Sequence, residues 1–385
     1  VVKVFQGIPI NIKHPIIGRI TKEKKSLLQR VNTILVTHEF RGLNFGYSVI
    51  ITSQEKFHRS FFNKLRVICG VSNEDILKLN EGDVVLIEPD GKINIIWDVK
   101  SNQNCILATE ECNCRCLMCP QPPKKDLDKD KKYRLNLKLL KLLDPNKTFH
   151  ICITGGEPTL LGDRFFQLVE LCKNRFPKAN LTILTNGRKF SDFKFAKKLV
   201  GIAHPKLLIC ISLHADTDTE HDYIAGAKGA FSDTIRGIRN LALFRQKLEI
   251  RIVIHKLNYK RLPQISNFIY RNFPFVLHIA FMGLEITGLA RKNFKKIWID
   301  PYEYREELQS AVLFLNRRAL NVSIYNLPLC LIPQKIWRFT CRSISNWKND
   351  YLPKCNYCVK KNECCGIFTT SGKFQSPNIK PIQSR

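Results

Sequence analysis

Ala108-Thr109-Glu110-Glu111-Cys112-Asn113-Cys114-Arg115-Cys116-Leu117-Met118-Cys119-Pro120-Gln121-Pro122-Pro123 is the stretch on which the reading of this chain turns. Cys112, Cys116 and Cys119 form Cys-x3-Cys-x2-Cys, three thiolates spaced to hold three corners of a cubane iron–sulfur cluster. Cubanes ordinarily take four cysteines, so a three-ligand loop leaves one iron for a group that is not protein. Cys114, inside the loop, reads as a spectator.

The loop follows a predicted strand over 105–109, and from there onward strand, turn and helix repeat. The further strands are predicted over 149–153, 181–184, 206–213, 249–254 and 276–281, with helical stretches near 135–143, 162–174, 191–200, 231–247 and 260–271. Six β/α units of this kind imply a parallel sheet with helical crossovers, and in such barrels chemistry gathers at the C-terminal strand ends. Six units alone also allow an open doubly wound sheet. After the second strand comes Gly155-Gly156-Glu157-Pro158, where glycines let the backbone approach a ligand closely.

These two motifs, in this order, resemble the signature of the radical S-adenosylmethionine superfamily. The resemblance implies a partial (βα)6 barrel, a 4Fe-4S cluster on Cys112, Cys116 and Cys119, and S-adenosylmethionine on the open iron. It further implies that the methionine amino group lies against Gly155, Gly156, Glu157 and Pro158. The next strand ends carry Thr185-Asn186-Gly187, Ser212-Leu213-His214-Ala215 and Ile254-His255-Lys256. By the same resemblance Asn186, Ser212 and either Arg251 or His255 are candidates for the rest of the nucleotide. Met118 stands where the family usually has an aromatic residue.

The 385 residues divide into an expected β-rich domain over 1–100, the barrel over 101–299 and a Cys-rich region over 300–385. In the first, the runs 84–88 and 93–97 flank Pro89-Asp90-Gly91-Lys92 and predict a hairpin. His38 and His58 read as ordinary histidines there, not ligands. The last region opens with a helical stretch over 301–320 and a strand-like 322–325. It then shows Cys330, Cys341 and Cys355-x2-Cys358-x5-Cys364, followed by Cys365. That spacing suits a metal, with Cys330 or Cys341 as fourth thiolate; an auxiliary 4Fe-4S cluster is favoured over structural zinc beside a cluster-bearing barrel.

Isolated Cys69, Cys152, Cys172 and Cys210 sit in apolar contexts and read as small core residues. The formal charge of +29 invites an acidic partner, but the lysines spread along the whole chain and read as a solvated surface rather than a nucleic-acid groove. No apolar run reaches membrane-spanning length, and a start without Met or signal architecture reads as a trimmed cytoplasmic protein.

Several stretches narrow the resemblance: Ile254-His255-Lys256, Met282-Gly283-Leu284-Glu285, Trp298-Ile299-Asp300-Pro301, Ser323-Ile324-Tyr325-Asn326 and the closing Cys triplet. Together they look like the radical S-adenosylmethionine maturase of the His-Xaa-Ser system. In that family the Asn-x-Pro-Leu-Cys context, here Asn326 to Cys330, favours Cys330 over Cys341 as the fourth ligand; Cys364 and Cys365 compete for the last position. The implied activity is reductive cleavage of S-adenosylmethionine to a 5′-deoxyadenosyl radical that modifies a ribosomally made peptide. A sister maturase and a reducing electron donor are the implied partners. Two alternatives are a radical enzyme acting on RNA or a purine-like small molecule, and a zinc-stabilised nucleic-acid-binding module.

Overall fold

The computed structural model describes residues 4–38, 45–55, 65–125, 128–345, 348–372 and 374–384; His58 falls outside them. The chain separates into two compact units. One comprises Val1–Ile106, Asp128–Ile151 and Asn174–Ala179, the other Leu107–Leu127, Cys152–Lys173 and Asn180–Arg385.

The first unit is a sheet of β1 (Val4–Gln6), β2 (Ile8–Ile10), β3 (Ile16–Thr21), β4 (Thr33–Thr37), β5 (Val49–Thr52), β6 (Val67–Cys69), β7 (Val84–Ile87) and β8 (Lys92–Trp97). Its order is β1-β8-β7-β3-β4-β5-β6-β2. Only Gly7 separates β1 from β2, so one extended segment pairs with β8 through its first half and with β6 through its second. Both ends of the sheet therefore finish on the same segment, which leaves little open edge for another chain to pair with. The predicted hairpin is present as the antiparallel β7–β8 pair. Inside lie Ile20, Ile34, Ile51, Ile68 and Ile93, each essentially buried and each worth roughly 1.5–3 kcal/mol of burial. Helix α1 (Asn73–Lys78) begins at Ser72, whose hydroxyl accepts from the Asp75 amide, and α2 (Lys129–Leu142) also belongs to this unit.

A second sheet runs in consecutive order through β9 (Cys105–Leu107), β10 (His150–Thr154), β11 (Asn180–Thr185), β12 (Leu207–Ser212), β13 (Leu248–Val253), β14 (His278–Met282), β15 (Val322–Tyr325) and β16 (Thr340–Cys341). From β11 to β16 each strand pairs in parallel with the next. Parallel strands are covered on both faces and so read as continuous apolar runs, as Leu-Leu-Ile-Cys-Ile does in β12. The crossovers include α3 (Asp163–Arg175), α4 (Phe193–Gly201), α5 (Asp218–Ala225), α6 (Ala230–Leu243), α7 (Leu262–Asn272), α8 (Gly288–Lys292), α9 (Phe294–Ile297) and α10 (Arg305–Asn316). In α6 the buried Ala230, Thr234, Ile238 and Leu241 repeat at helical spacing. The chain thus adopts the α/β class with a parallel sheet and a β-rich N-terminal region. The sheet continues past residue 300, because β15 and β16 add to its edge.

Register sorts the two faces of this sheet. Ser212 pairs with Arg251, Cys210 with Glu249, and Glu249 with His278, so these share one face; Ile209, Ile211, Ile250, Ile252, Ile279 and Phe281 take the other and are all buried. On the polar face Glu249 bridges Arg251 Nε (2.5 Å) and His278 Nδ1 (2.8 Å), and His278 Nε2 meets the Ser323 hydroxyl at 2.9 Å. Burial alone would raise the Glu249 carboxyl, but the His278 hydrogen bond and the Arg251 charge outweigh it and hold it down at about 2. A carboxyl depressed in the fold contributes stability above its unfolded value near 4.5, and that contribution is lost as pH falls toward 2. Glu249→Gln leaves the partly exposed Arg251 charge and the His278 ring without their carboxylate partner and is expected to cost about 1.5–3 kcal/mol at pH 7 in urea unfolding. It should also flatten the acid limb of the stability profile.

Candidate functional site

The cysteine loop is held by main-chain bonds from segments distant in sequence. The Arg115 and Leu117 amides donate to the carbonyls of Ala225 and Ile224 at the end of α5 (2.8 and 2.9 Å). The Cys119 carbonyl accepts from the Leu289 amide (2.8 Å), and Asn293 Nδ2 donates to the Leu117 carbonyl (2.9 Å). Gly226 closes α5 at a φ of +61°, where a Cβ would stand 2.6 Å from the Arg115 carbonyl, so only glycine lets loop and helix meet. Met118 is buried among Ala215, Ile224, Ala290 and Ile297.

The thiols themselves are partly buried, and polar groups converge on them. Cys112 Sγ accepts from the Cys114 amide (3.4 Å) and Asn186 Nδ2 (3.9 Å); Cys116 Sγ lies 3.6 Å from His214 Nε2. Cys119 Sγ donates to the Gln121 carbonyl at 2.9 Å. The buried Cys114 thiol sits between Cys112 and Cys116, and its hydrogen bond followed by burial pushes the Cys112 thiol well up. Arg188 ties the loop further: its Nη1 donates to the Asn113 carbonyl (2.8 Å) while Nε and Nη2 grip Asp233.

The Gly-Gly-Glu-Pro turn follows β10 directly. A Cβ at Gly155 would lie 2.6 Å from the Thr109 carbonyl, and one at Gly156 would overlap the Glu111 carbonyl, so the turn packs backbone to backbone on the cysteine loop. The amides of Gly156 and Glu157 donate to the carbonyls of Thr109 and Glu111, both at 2.7 Å. The Glu157 carboxylate is buried and accepts four hydrogen bonds, from the Thr159 amide and hydroxyl, the Thr185 hydroxyl and the Asn186 amide. Burial pushes its carboxyl up, against the pull of these donors. Its side chain therefore braces β10 to β11. Thr159 escapes the sequence reading, and Thr185 stands there only as part of a strand end, without a role.

Asn186 is also tied inward, Nδ2 to Asn113 Oδ1 at 2.7 Å and Oδ1 to the Arg188 amide at 3.0 Å. Ser212 and Arg251 are register partners, with Arg251 engaged by Glu249. His255 is fully buried: its Nδ1 accepts from the Leu257 amide, and burial, aided by neighbouring His214, lowers its pKa to about 3. His214 is likewise lowered to about 4 by burial.

In the C-terminal region Cys330, Cys355, Cys358 and Cys364 line one small cavity, partly open to solvent, whose walls include Leu329, Leu352, Ile379 and Ile382. Cys341 is placed elsewhere, on β16 opposite Tyr325. Cys365 is buried with Ile344 and Phe368. A hydrogen bond from the Cys365 thiol, opposed by burial and helped by the Leu329 and Gly366 amides, lowers Cys364 to about 6 and favours its thiolate form. Cys69, Cys152, Cys172 and Cys210 are buried as expected.

Thiolates are soft ligands that select iron–sulfur clusters or zinc, and the donors aimed at Cys112 and Cys116 suit sulfurs carrying negative charge. Among the described residues no three His, Cys, Asp or Glu side chains surround a point that would hold a single ion. A cubane makes a different demand, since each of its thiolates binds a separate iron. Both thiol groups fit that donor chemistry. Among the described residues no helix is long and apolar enough to cross a membrane.

Comparison with known proteins bears on the same segment. The chain is 27% identical over 234 residues to the Fe-coproporphyrin III synthase of Methanosarcina barkeri, covering 59% of this chain and 52% of that protein. It is 28% identical over 202 residues to a probable GTP 3′,8-cyclase of Saccharolobus islandicus, covering 50% of this chain and 59% of the relative. It thus spans little more than half the length of these curated relatives. Among solved structures, Streptococcus suis SuiB bound to S-adenosylmethionine matches with a TM-score of 0.45 and 19% identity, over 57% of this chain and 49% of that one. AdoMet-bound anSMEcpe matches with a TM-score of 0.43 and 19% identity, over 57% and 62%. Residues 106–269 match the model of the Radical SAM superfamily. The segment that carries the three-cysteine loop and the Gly-Gly-Glu-Pro turn is a Radical SAM superfamily domain, a kind of domain that uses a 4Fe-4S cluster and S-adenosylmethionine.

Proposed function

We propose that the chain modifies a ribosomally made peptide of the His-Xaa-Ser repeat type by radical chemistry. Support comes from the stretches that resemble the His-Xaa-Ser maturase, and above all from a four-thiol cavity in the same compact unit as the three-thiol loop. Cys112, Cys116 and Cys119 would hold the first cluster, and Cys330, Cys355, Cys358 and Cys364 an auxiliary one. Gly155, Gly156, Pro158, Asn186, Ser212 and either Arg251 or His255 would border the nucleotide, with Glu157 fixing the turn from behind. When bound, these cofactors supply a 5′-deoxyadenosyl radical that takes a hydrogen atom from substrate. The residues' task is positional: main-chain bonds from α5 and α8 fix the loop, Met118 and its neighbours cover one side of it, and Glu157 ties the turn to β11.

Anaerobic reconstitution with iron and sulfide should load about eight irons per chain, two cubanes' worth. Dithionite, standing in for the reducing partner, should then yield 5′-deoxyadenosine from S-adenosylmethionine, and a His-Xaa-Ser repeat peptide should change mass. An unmodified peptide alongside 5′-deoxyadenosine would reject the substrate and leave the radical chemistry standing. Cys330→Ala is expected to remove about four irons, whereas Cys341→Ala keeps them. A purine-type substrate is the second reading, favoured by the +29 charge and the likeness to a probable GTP 3′,8-cyclase. GTP replaces the peptide in the same assay to test it.

A further inference from the structure

We propose that His214 donates a hydrogen bond from Nε2 to the Cys116 thiolate and so sets how readily the cluster on this loop accepts an electron. The inference rests on the reading of Cys112, Cys116 and Cys119 as cluster ligands. Nε2 stands 3.6 Å from Cys116 Sγ, within reach of a hydrogen bond to sulfur. A ligating thiolate carries no proton, so the imidazole is the donor and Nδ1 is left as an acceptor. Among the described residues Nδ1 has no hydrogen-bond partner, so no protein group competes for the tautomer.

The ring is held in place. His214 follows β12 by two residues, and its carbonyl accepts from Asn258 Nδ2 at 3.1 Å; Asn258 is itself fixed by the Val253 carbonyl and the His255 amide. The His221 ring packs against it, centroids 5.0 Å apart. At 5% exposure the donor works in a poorly screened setting, where a hydrogen bond to a charged sulfur is stronger than in water.

The three thiols differ in this respect. Cys112 Sγ has an amide and the longer Asn186 contact, and Cys119 Sγ faces a carbonyl, whereas Cys116 faces an imidazole. Hydrogen bonds to cluster sulfurs draw off negative charge and favour the reduced state, which carries one more electron. His214 is thus a positioning residue that acts through Cys116.

The test uses the full chain, reconstituted anaerobically, with iron counted and the cluster followed by electron paramagnetic resonance during a potentiometric titration. The signal that shifts on adding S-adenosylmethionine identifies the cluster with the open iron. His214→Leu is expected to be about tenfold harder to reduce at a given potential, a midpoint about 59 mV lower for a one-electron couple. His214→Gln, whose amide reaches the same sulfur, should recover most of the difference. Should the leucine variant fail to fold, Gln against Asn carries the comparison, since Asn is too short to reach. Equal midpoints at equal iron content overturn the role of His214 and leave the cluster in place. Iron content and signal indifferent to Cys116→Ala overturn the cluster reading, and this inference with it.

Discussion

Cys116→Ala is expected to abolish 5′-deoxyadenosine formation from dithionite and S-adenosylmethionine and to remove about four of the bound irons. The loss should be local. The loop owes its shape to main-chain bonds from Ile224, Ala225 and Leu289, none of which uses the Cys116 side chain, so circular dichroism and the unfolding midpoint should stay near wild type. Cys114→Ala is the control: its thiol lies beside those of Cys112 and Cys116 yet is a spectator in the proposed ligand set, and that variant should keep its iron. Undiminished 5′-deoxyadenosine from the Cys116 variant would reject the assignment of this loop.

Glu157→Ala should destabilise the fold by several kcal/mol, since each buried donor left without its acceptor costs about 1–3 kcal/mol and this carboxylate serves four. Glu157→Gln tests the same point without a cavity. Its amide nitrogen replaces only one of the two oxygens and, in the better orientation, faces the Asn186 amide while the threonine donors keep their acceptor, so the cost of one lost acceptor, about 1–3 kcal/mol, should persist although size is conserved. Chemical unfolding gives the stability, and calorimetric titration with S-adenosylmethionine gives the effect on the adjoining turn. A variant as stable as wild type would show that Glu157 does not brace the turn.

The second sheet was largely legible because parallel strands announce themselves as unbroken apolar runs, of which 206–213 is the clearest. Helix α5 was not: Asp-Thr-Glu-His-Asp-Tyr-Ile-Ala is polar, and its only strong signal is Thr217 three residues before Glu220, where the two side chains do meet at 2.8 Å. The way β1 and β2 finish both ends of the first sheet was also hidden, because a single glycine inside a short run says nothing about partners distant in sequence. At the site, residue types gave the cysteines and the glycines. They did not give Glu157 its inward bonds, nor His214 its neighbour, which lies 98 positions away along the chain. Between Cys330 and Cys341 spacing could not choose; the structure puts the first at the cavity and the second on a strand.

The way the cysteine loop is tethered has a practical side. Metal-built miniature domains collapse when stripped, because the ion is their fold, but here helices and strands already hold the cage's outline. Air damage to the inorganic core should therefore be repairable, with an intact shell accepting fresh iron and sulfide. The C-terminal cavity, framed by the two-residue strands Asn349–Asp350 and Ile367–Phe368, has far less scaffolding of its own and should be the part that is slow to recover.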